Sequence, residues 1–423
     1  MEVLSVEVDG DQAELFGRRF RSVVGLLDGM RAPEARLLRV GLFRRAAQIL
    51  DAPPPHALRV RALVDYVWSQ AAVVQHRRPG APTVAELAAT LRMEEVAPGV
   101  RHGTLQGLTE QGPVHVNVLR ARSPRLRALD ARGRGSLVAL CAQHGAVAGV
   151  SGGFFLYSEP DIAAPSHRTD PVGWLVTDGE MVAPPVFRRS ALVQGLDGAL
   201  SIERRDLRGA RLLIGATVAT VGDNLVHRAM ADRSPEPEGR AVAVVGHHVV
   251  AVSTSSLAVP LAGFVLLLPD GPPIEVGARV TYDLPPVREA MAGGPLLLGE
   301  GALELVPEDF AGSAPPITFS RDETYDRNLL PRMAAGLTGD GELVFAAVDG
   351  RNAERAPGLT LRGTGALMEA LGCVRAMNLD GGSSKRMVVG GRVVDLPSTE
   401  VVAGGGEARV RPVHTAVLVL SRG

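Results

Sequence analysis

The chain has 423 residues, 46% hydrophobic and only 4% aromatic, enough for a sizeable core of mainly Val, Leu and Ala, and for two or three domains or one large domain with an extension. Its formal net charge of −1 lacks the basic excess of a nucleic-acid binder and disfavours an anionic membrane surface. Two cysteines, Cys141 and Cys373, do not make a disulfide framework and are expected on buried segments, and no Cys/His spacing suits zinc, His247 and His248 being adjacent without nearby partners.

The N-terminus shows no basic start followed by a long apolar run, so it does not read as a signal peptide. No window approaches about 18 uninterrupted apolar residues, so no membrane span is expected. A cytoplasmic location is the resulting expectation. A short strand is predicted at 2–8. Phe16, Phe20, Val23 and Leu27 then recur at helical spacing, and 35–50 and 56–74 repeat the pattern around the breaker "DAPPP". Thr83 with Glu86 makes a capping box ahead of "LAATLRM". Residues 1–95 therefore read as a helical extension without catalytic groups, suited to docking or to forming a homo-oligomer.

From residue 96 the texture changes to short apolar runs separated by Gly, Pro and Asp. Segments 174–182, 334–348 and 386–396 each read as strand, turn, strand, with Asp-Gly or Gly-Gly pairs that supply the positive φ of tight hairpins. "PLAGFVLLLP" at 260–269 reads as buried strand. Helices are predicted at 133–144 and 360–371, the second stopped by Gly372. The predicted class is α+β, with a mixed or antiparallel strand-rich domain over 96–423.

The segment "AMNLDGGSSKRMVV", 376–389, holds the densest chemistry. A strand over 373–379 ends at Asp380, and Gly381, Gly382, Ser383 and Ser384 follow, then Lys385, the only lysine in the chain. Glycines let backbone approach a ligand, and consecutive N–H groups in such a turn favour anions, so the turn suits either a phosphate facing a carboxylate or an ordinary hairpin connection. Arg332 starts one strand of the 334–348 hairpin, and Asp349, Gly350 and Arg351 end the other. The hairpin brings two guanidiniums together as a phosphate clamp and adds a second carboxylate. "VSGGFF" over 150–155 repeats the logic of strand end and glycine pair, and "AGGP" over 292–295 supplies a third pair. Neither a P-loop nor a G-x-S-x-G elbow is present.

Together these segments resemble the phosphodiester glycosidases, the family of the enzyme that uncovers mannose 6-phosphate by removing N-acetylglucosamine from a phosphodiester. The resemblance covers roughly 96–421. It rests on Asn378–Leu379–Asp380–Gly381–Gly382 with Ser383 and Ser384, on Arg332, on Asp349–Gly350–Arg351, on Ser151–Gly152–Gly153–Phe154–Phe155 and on Gly293–Gly294–Pro295, in the family's order. Ser151 stands where the family has Asn, Met333 where it has Thr, Ser383 where it has a third Gly, and Lys385 where it has a second Ser.

The resemblance implies a hydrolase of a sugar-1-phosphodiester or related glycosidic bond. Asp380 and Asp349 would share acid and base duties, with Arg332, Arg351 and Ser384 at the phosphate. Asn378, Gly381, Gly382, Ser151, Gly152, Gly153, Phe154, Gly293, Gly294 and Lys385 would line the substrate site. The implied partner is a small-molecule or oligosaccharide phosphodiester, with no metal and no named cofactor. The altered residues leave open a non-catalytic sugar-phosphate binding or regulatory protein.

Overall fold

A computed structural model describes residues 78–155, 170–186, 188–228, 231–299, 302–306, 329–352, 355–397 and 412–420. The strand expected at 2–8 and the helices expected within 16–74 lie outside them. Every strand pair among the described residues is antiparallel. No helix among the described residues is long and apolar enough to cross a membrane.

The largest sheet has eight strands. Gly112–Ala121 pairs with Leu343–Val348, which pairs with Arg332–Thr338, which pairs with Cys373–Leu379. The strand Gly112–Ala121 lies more than 200 positions from the other three in sequence, so this order gathers strand ends from distant parts of the chain. A five-stranded sheet packs nearby and contains Ala146–Ser151 between Met387–Val389 and Val413–Leu420.

The strands alternate as the pleat requires. Leu119, Met333, Phe345 and Met377 face a core shared with Val150, Met387 and Val417 of the second sheet and with Leu192 and Met291 of a third. Val118, Ala334, Val344 and Ala376 face the opposite way, under the helix Leu361–Ala370. Thr360 caps that helix by accepting from the Gly363 N–H at 2.9 Å, and Gly372, at φ +84°, ends it.

The short helix Val84–Ala88 has the expected capping box, Thr83 and Glu86 bonding each other's backbone N–H. Its Leu87 lies so close to Gly107 that a Cβ there would come within 2.9 Å of it. Part of the segment assigned to the extension is therefore packed on the main sheet. The helix expected from 133 begins at Leu137, because Arg125–Gly135 is a strand. Hairpins form at Leu175–Thr177 with Glu180–Ala183 and at Met387–Val389 with Arg392–Val393, and Gly263–Leu268 is a buried strand. Both cysteines are buried and unbridged, and burial pushes the Cys373 thiol up to about 12 and the Cys141 thiol up to about 11, so neither is a thiolate nucleophile at neutral pH.

Candidate functional site

Three strand ends meet at the carboxyl side of the 373–379 strand. Arg332 pairs with Val348 in the hairpin register, which sets Arg332 beside the Asp349–Arg351 corner. The Gly382 N–H donates to the Pro331 carbonyl at 2.8 Å. A Cβ on Gly381 would sit 2.5 Å from that same carbonyl oxygen, so only glycine lets the turn rest on the Arg332 strand. The Arg351 guanidinium lies over Gly382, its nearest nitrogen 3.6 Å from where a Cβ would stand. Arg351 itself has φ +61°, an uncommon conformation for a residue with a side chain, costing on the order of 1–2 kcal/mol and typical of functional corners.

The turn is a half-exposed 3-10 segment over Gly382–Ser384, and Asp380, Gly381, Gly382, Ser383 and Ser384 are all partly open to solvent. Its backbone is less available than expected. Gly382, Ser384 and Lys385 donate their N–H groups to Pro331 and Gly381 carbonyls, and Asp380 donates to Gly152, whereas the Gly381 N–H makes no backbone bond among the described residues. The nest of free amides expected from Gly381 and Gly382 is thus reduced to Gly381.

The other glycine pairs serve the fold. Gly152 and Gly294 donate to Thr415 and Asn378 carbonyls, and a Cβ on Gly153 would lie 1.8 Å from the Ala292 carbonyl oxygen. A Cβ on Gly293 would lie 2.5 Å from the Asn378 carbonyl oxygen. Asn378 is buried and returns its side-chain amide to the Gly294 carbonyl at 3.1 Å. Ser151 is buried as well: its hydroxyl accepts from the Arg386 N–H at 3.2 Å and reaches the Asp380 carbonyl at 3.5 Å. These residues, expected to touch substrate, form the floor that holds Asp380 in place. Phe154 is buried with the Arg189 guanidinium 5.0 Å over its ring, and Phe155 stacks on His414 at 3.5 Å.

Asp349 and Lys385 depart most from expectation. Lys385, read as a turn residue beside the anion, is 0% exposed. Its ammonium donates to Asp349 Oδ1, to Asp395 Oδ2 at 2.7 Å and to the Leu396 carbonyl at 3.1 Å. Arg386 shares Asp395 Oδ2 at 3.0 Å, and the Met387 N–H fills Asp395 Oδ1. Asp349 also accepts from the Leu396 N–H on Oδ1, while its Oδ2 meets His115 Nδ1 at 2.5 Å. Two carboxylates and two cations make a cluster that is neutral without His115, the arrangement that keeps buried charge tolerable. Asp349 is 1% exposed with both oxygens engaged. Asp380 and Ser384 lie on the part-exposed turn with the guanidinium of the buried Arg351 over Gly382, while Asp349 and Lys385 are fully buried and Arg332 is buried with its Nε on the Leu359 carbonyl.

Sequence reasoning missed His115 and Asp395. The run "VHVNV" places His115 and Asn117 on one face of a strand, a polar pair on an otherwise apolar side, and that was the available signal. No group of three or more metal-ligating side chains occurs among the described residues.

Residues 215–420 match the model of the phosphodiester glycosidase family. The segments around Gly293, Arg332, Asp349 and Asp380 lie inside the match; the Ser151 segment precedes it. A hypothetical protein from Synechocystis shares the fold at 19% identity and a TM-score of 0.53, over 78% of this chain and 64% of that one, so this chain spans under two thirds of it. A Burkholderia pseudomallei K96243 protein whose name describes it as exported matches at 25% identity and a TM-score of 0.50, over 74% of this chain and 75% of that one. The zebrafish N-acetylglucosamine-1-phosphodiester alpha-N-acetylglucosaminidase catalytic domain, auto-inhibited by its pro-peptide, aligns at 12% identity and a TM-score of 0.44, over 82% and 97% of the two chains. No curated protein matches the sequence.

Proposed function

We propose that this protein is a hydrolase of sugar-1-phosphodiesters, cleaving the bond between the anomeric carbon and a phosphate oxygen. The observation that carries the reading is the part-exposed Asp380 turn with the guanidinium of the buried Arg351 held over Gly382, inside the stretch that matches the phosphodiester glycosidase family. Arg351, with Ser384 and the Gly381 N–H beside it, offers donors to a phosphodiester monoanion. Asp380 stands at the same opening, where a carboxylate stabilises positive charge developing at the anomeric carbon. Fixed donors and a fixed carboxylate lower the barrier because they need no reorganisation when charge moves.

A second reading has a specific observation in its favour. Lys385 and Leu396 saturate one oxygen of Asp349 and His115 takes the other, so the pair of open carboxylates assumed for a glycosidase is not present. A protein that binds a sugar phosphate without cleaving it fits that arrangement. Hydrolysis of a panel of sugar-1-phosphodiesters, UDP-sugars and p-nitrophenyl glycosides by wild type and Asp380→Ala separates the two. Turnover that vanishes in the variant supports the hydrolase; absent turnover, with a panel member still raising the melting temperature, supports the binding protein.

A further inference from the structure

Resting on the sugar-phosphodiester reading, we infer that His115, and not Asp349, is the group that exchanges a proton with the reacting water. Asp349 acts on it as a positioning residue. Its Oδ1 accepts from the Lys385 ammonium and the Leu396 N–H, so this carboxylate is anchored. Its Oδ2 accepts from His115 Nδ1, which places a ring proton on Nδ1, so that in the one-proton form of the ring the lone pair lies on Nε2. This tautomer follows from the hydrogen-bond network.

Exposure separates the two residues. The His115 side chain is 18% exposed and the Asp349 side chain 1%. On the neighbouring strand Thr104 and Gln106 are exposed, Gln106 directly opposite His115, so this end of the sheet face is open to water. The ring is also tied to the candidate site. The Asp349 N–H donates to the His115 carbonyl at 2.9 Å, Asp349 leads through Gly350 to Arg351, and Lys385 ends the turn that begins at Asp380. The carboxylate–imidazole pair is thus joined to the anion clamp by the chain, Asp349 standing two positions before Arg351, and by the bond of Lys385 to Asp349.

The step balances as follows. His115 Nε2 takes a proton from water as the water oxygen bonds to the anomeric carbon. The bond from that carbon to the phosphate oxygen breaks, and its electron pair stays on the phosphomonoester, whose new charge Arg351 meets. The product sugar keeps the second water proton on its hydroxyl, and the imidazolium returns its proton to solvent. The titratable and charged groups near the ring are Asp349, with Lys385, Asp395 and Arg386 behind it, and His102, which reaches Asn117 on the same face. Gln106 and Thr104 are uncharged.

The test is His115→Gln beside wild type on a phosphodiester that wild type cleaves, with kcat measured against pH. Glutamine keeps a donor for Asp349 but cannot carry the proton. The expected result is a kcat lower by about 10²–10⁴-fold, a KM within a few-fold, an unchanged melting temperature, and loss of the acid limb of the profile. A variant with near wild-type kcat and the same acid limb overturns the role of His115 and leaves the hydrolase standing. Wild type that cleaves nothing on the panel overturns the hydrolase and, with it, this step. Independently of turnover, nitrogen NMR of the full-length protein should find the His115 proton on Nδ1 at neutral pH; a proton on Nε2 overturns the inference.

Discussion

Asp380 to Ser384 and the cluster that starts one residue later at Lys385 are opposites in environment. The first stretch is partly open throughout; the second buries a lysine, an arginine and two aspartates. An open carboxylate can meet a ligand and exchange protons with water. A carboxylate with both oxygens engaged can only orient what touches it. Burial thus assigns different work to two aspartates that look equivalent in sequence, Asp380 and Asp349.

The comparison breaks most directly at Asp380. Asp380→Ala should reduce kcat on a cleaved phosphodiester about a thousandfold while leaving the melting temperature close to wild type, since the Asp380 backbone contacts persist. A large drop in thermal stability instead would move Asp380 into the structural group. Lys385→Met is the mirror experiment. It removes the ammonium that bridges Asp349 and Asp395, leaving only Arg386 on Asp395, and denaturant unfolding should show a loss of about 3–5 kcal/mol. Adding Asp395→Asn should recover part of it; an unchanged loss would argue that the ion pairs are not the cause.

Gly153→Ala probes the floor beneath the turn. A Cβ 1.8 Å from the Ala292 carbonyl oxygen forces backbone apart, and a cost of about 1–3 kcal/mol is expected by denaturant titration. The smallest effect concerns the other end of the Arg332–Val348 hairpin, where Glu342 is buried with Arg120 at 2.8 Å and Arg101 at 2.7 Å. Burial alone would raise its carboxyl, but the Arg120 and Arg101 bonds outweigh it and hold it below the ordinary glutamate range. A depressed carboxyl stabilises the fold above its unfolded value, and that share is lost as pH falls through the folded one. Glu342→Gln should therefore cost stability at neutral pH, and the gap to wild type should close on acidification. A gap that stays constant with pH would mean packing, not charge, holds this end.

The local parts of the fold were legible because their causes are local. Thr360 and Gly372 bracket a helix, Asp178–Gly179 and Gly390–Gly391 turn hairpins, and the strand Cys373–Leu379 delivers Asp380 to its end as read. What escaped depends on distant partners. His115 meets Asp349 only because strand 112–121 lies beside 343–348, a pairing across 234 positions. Lys385 carries no sequence mark of burial, since only the arrival of Asp349 and Asp395 makes burial tolerable. The glycines at 152, 153, 293 and 294 were read as room for a ligand. They are room for the protein's own carbonyls, and sequence does not distinguish one backbone visitor from another.

The buried position of Lys385 also has a practical side. It is the only lysine among 423 residues, and it is 0% exposed. An acylating reagent aimed at amines therefore finds no lysine side chain to modify while the protein is folded, and one as soon as it opens. Acylation at that single position, over and above any at the α-amino group, is a covalent clock for opening of the site, readable by mass as one further group. It also leaves these 423 residues, while folded, without an exposed lysine to accept acetyl or ubiquitin-type tags.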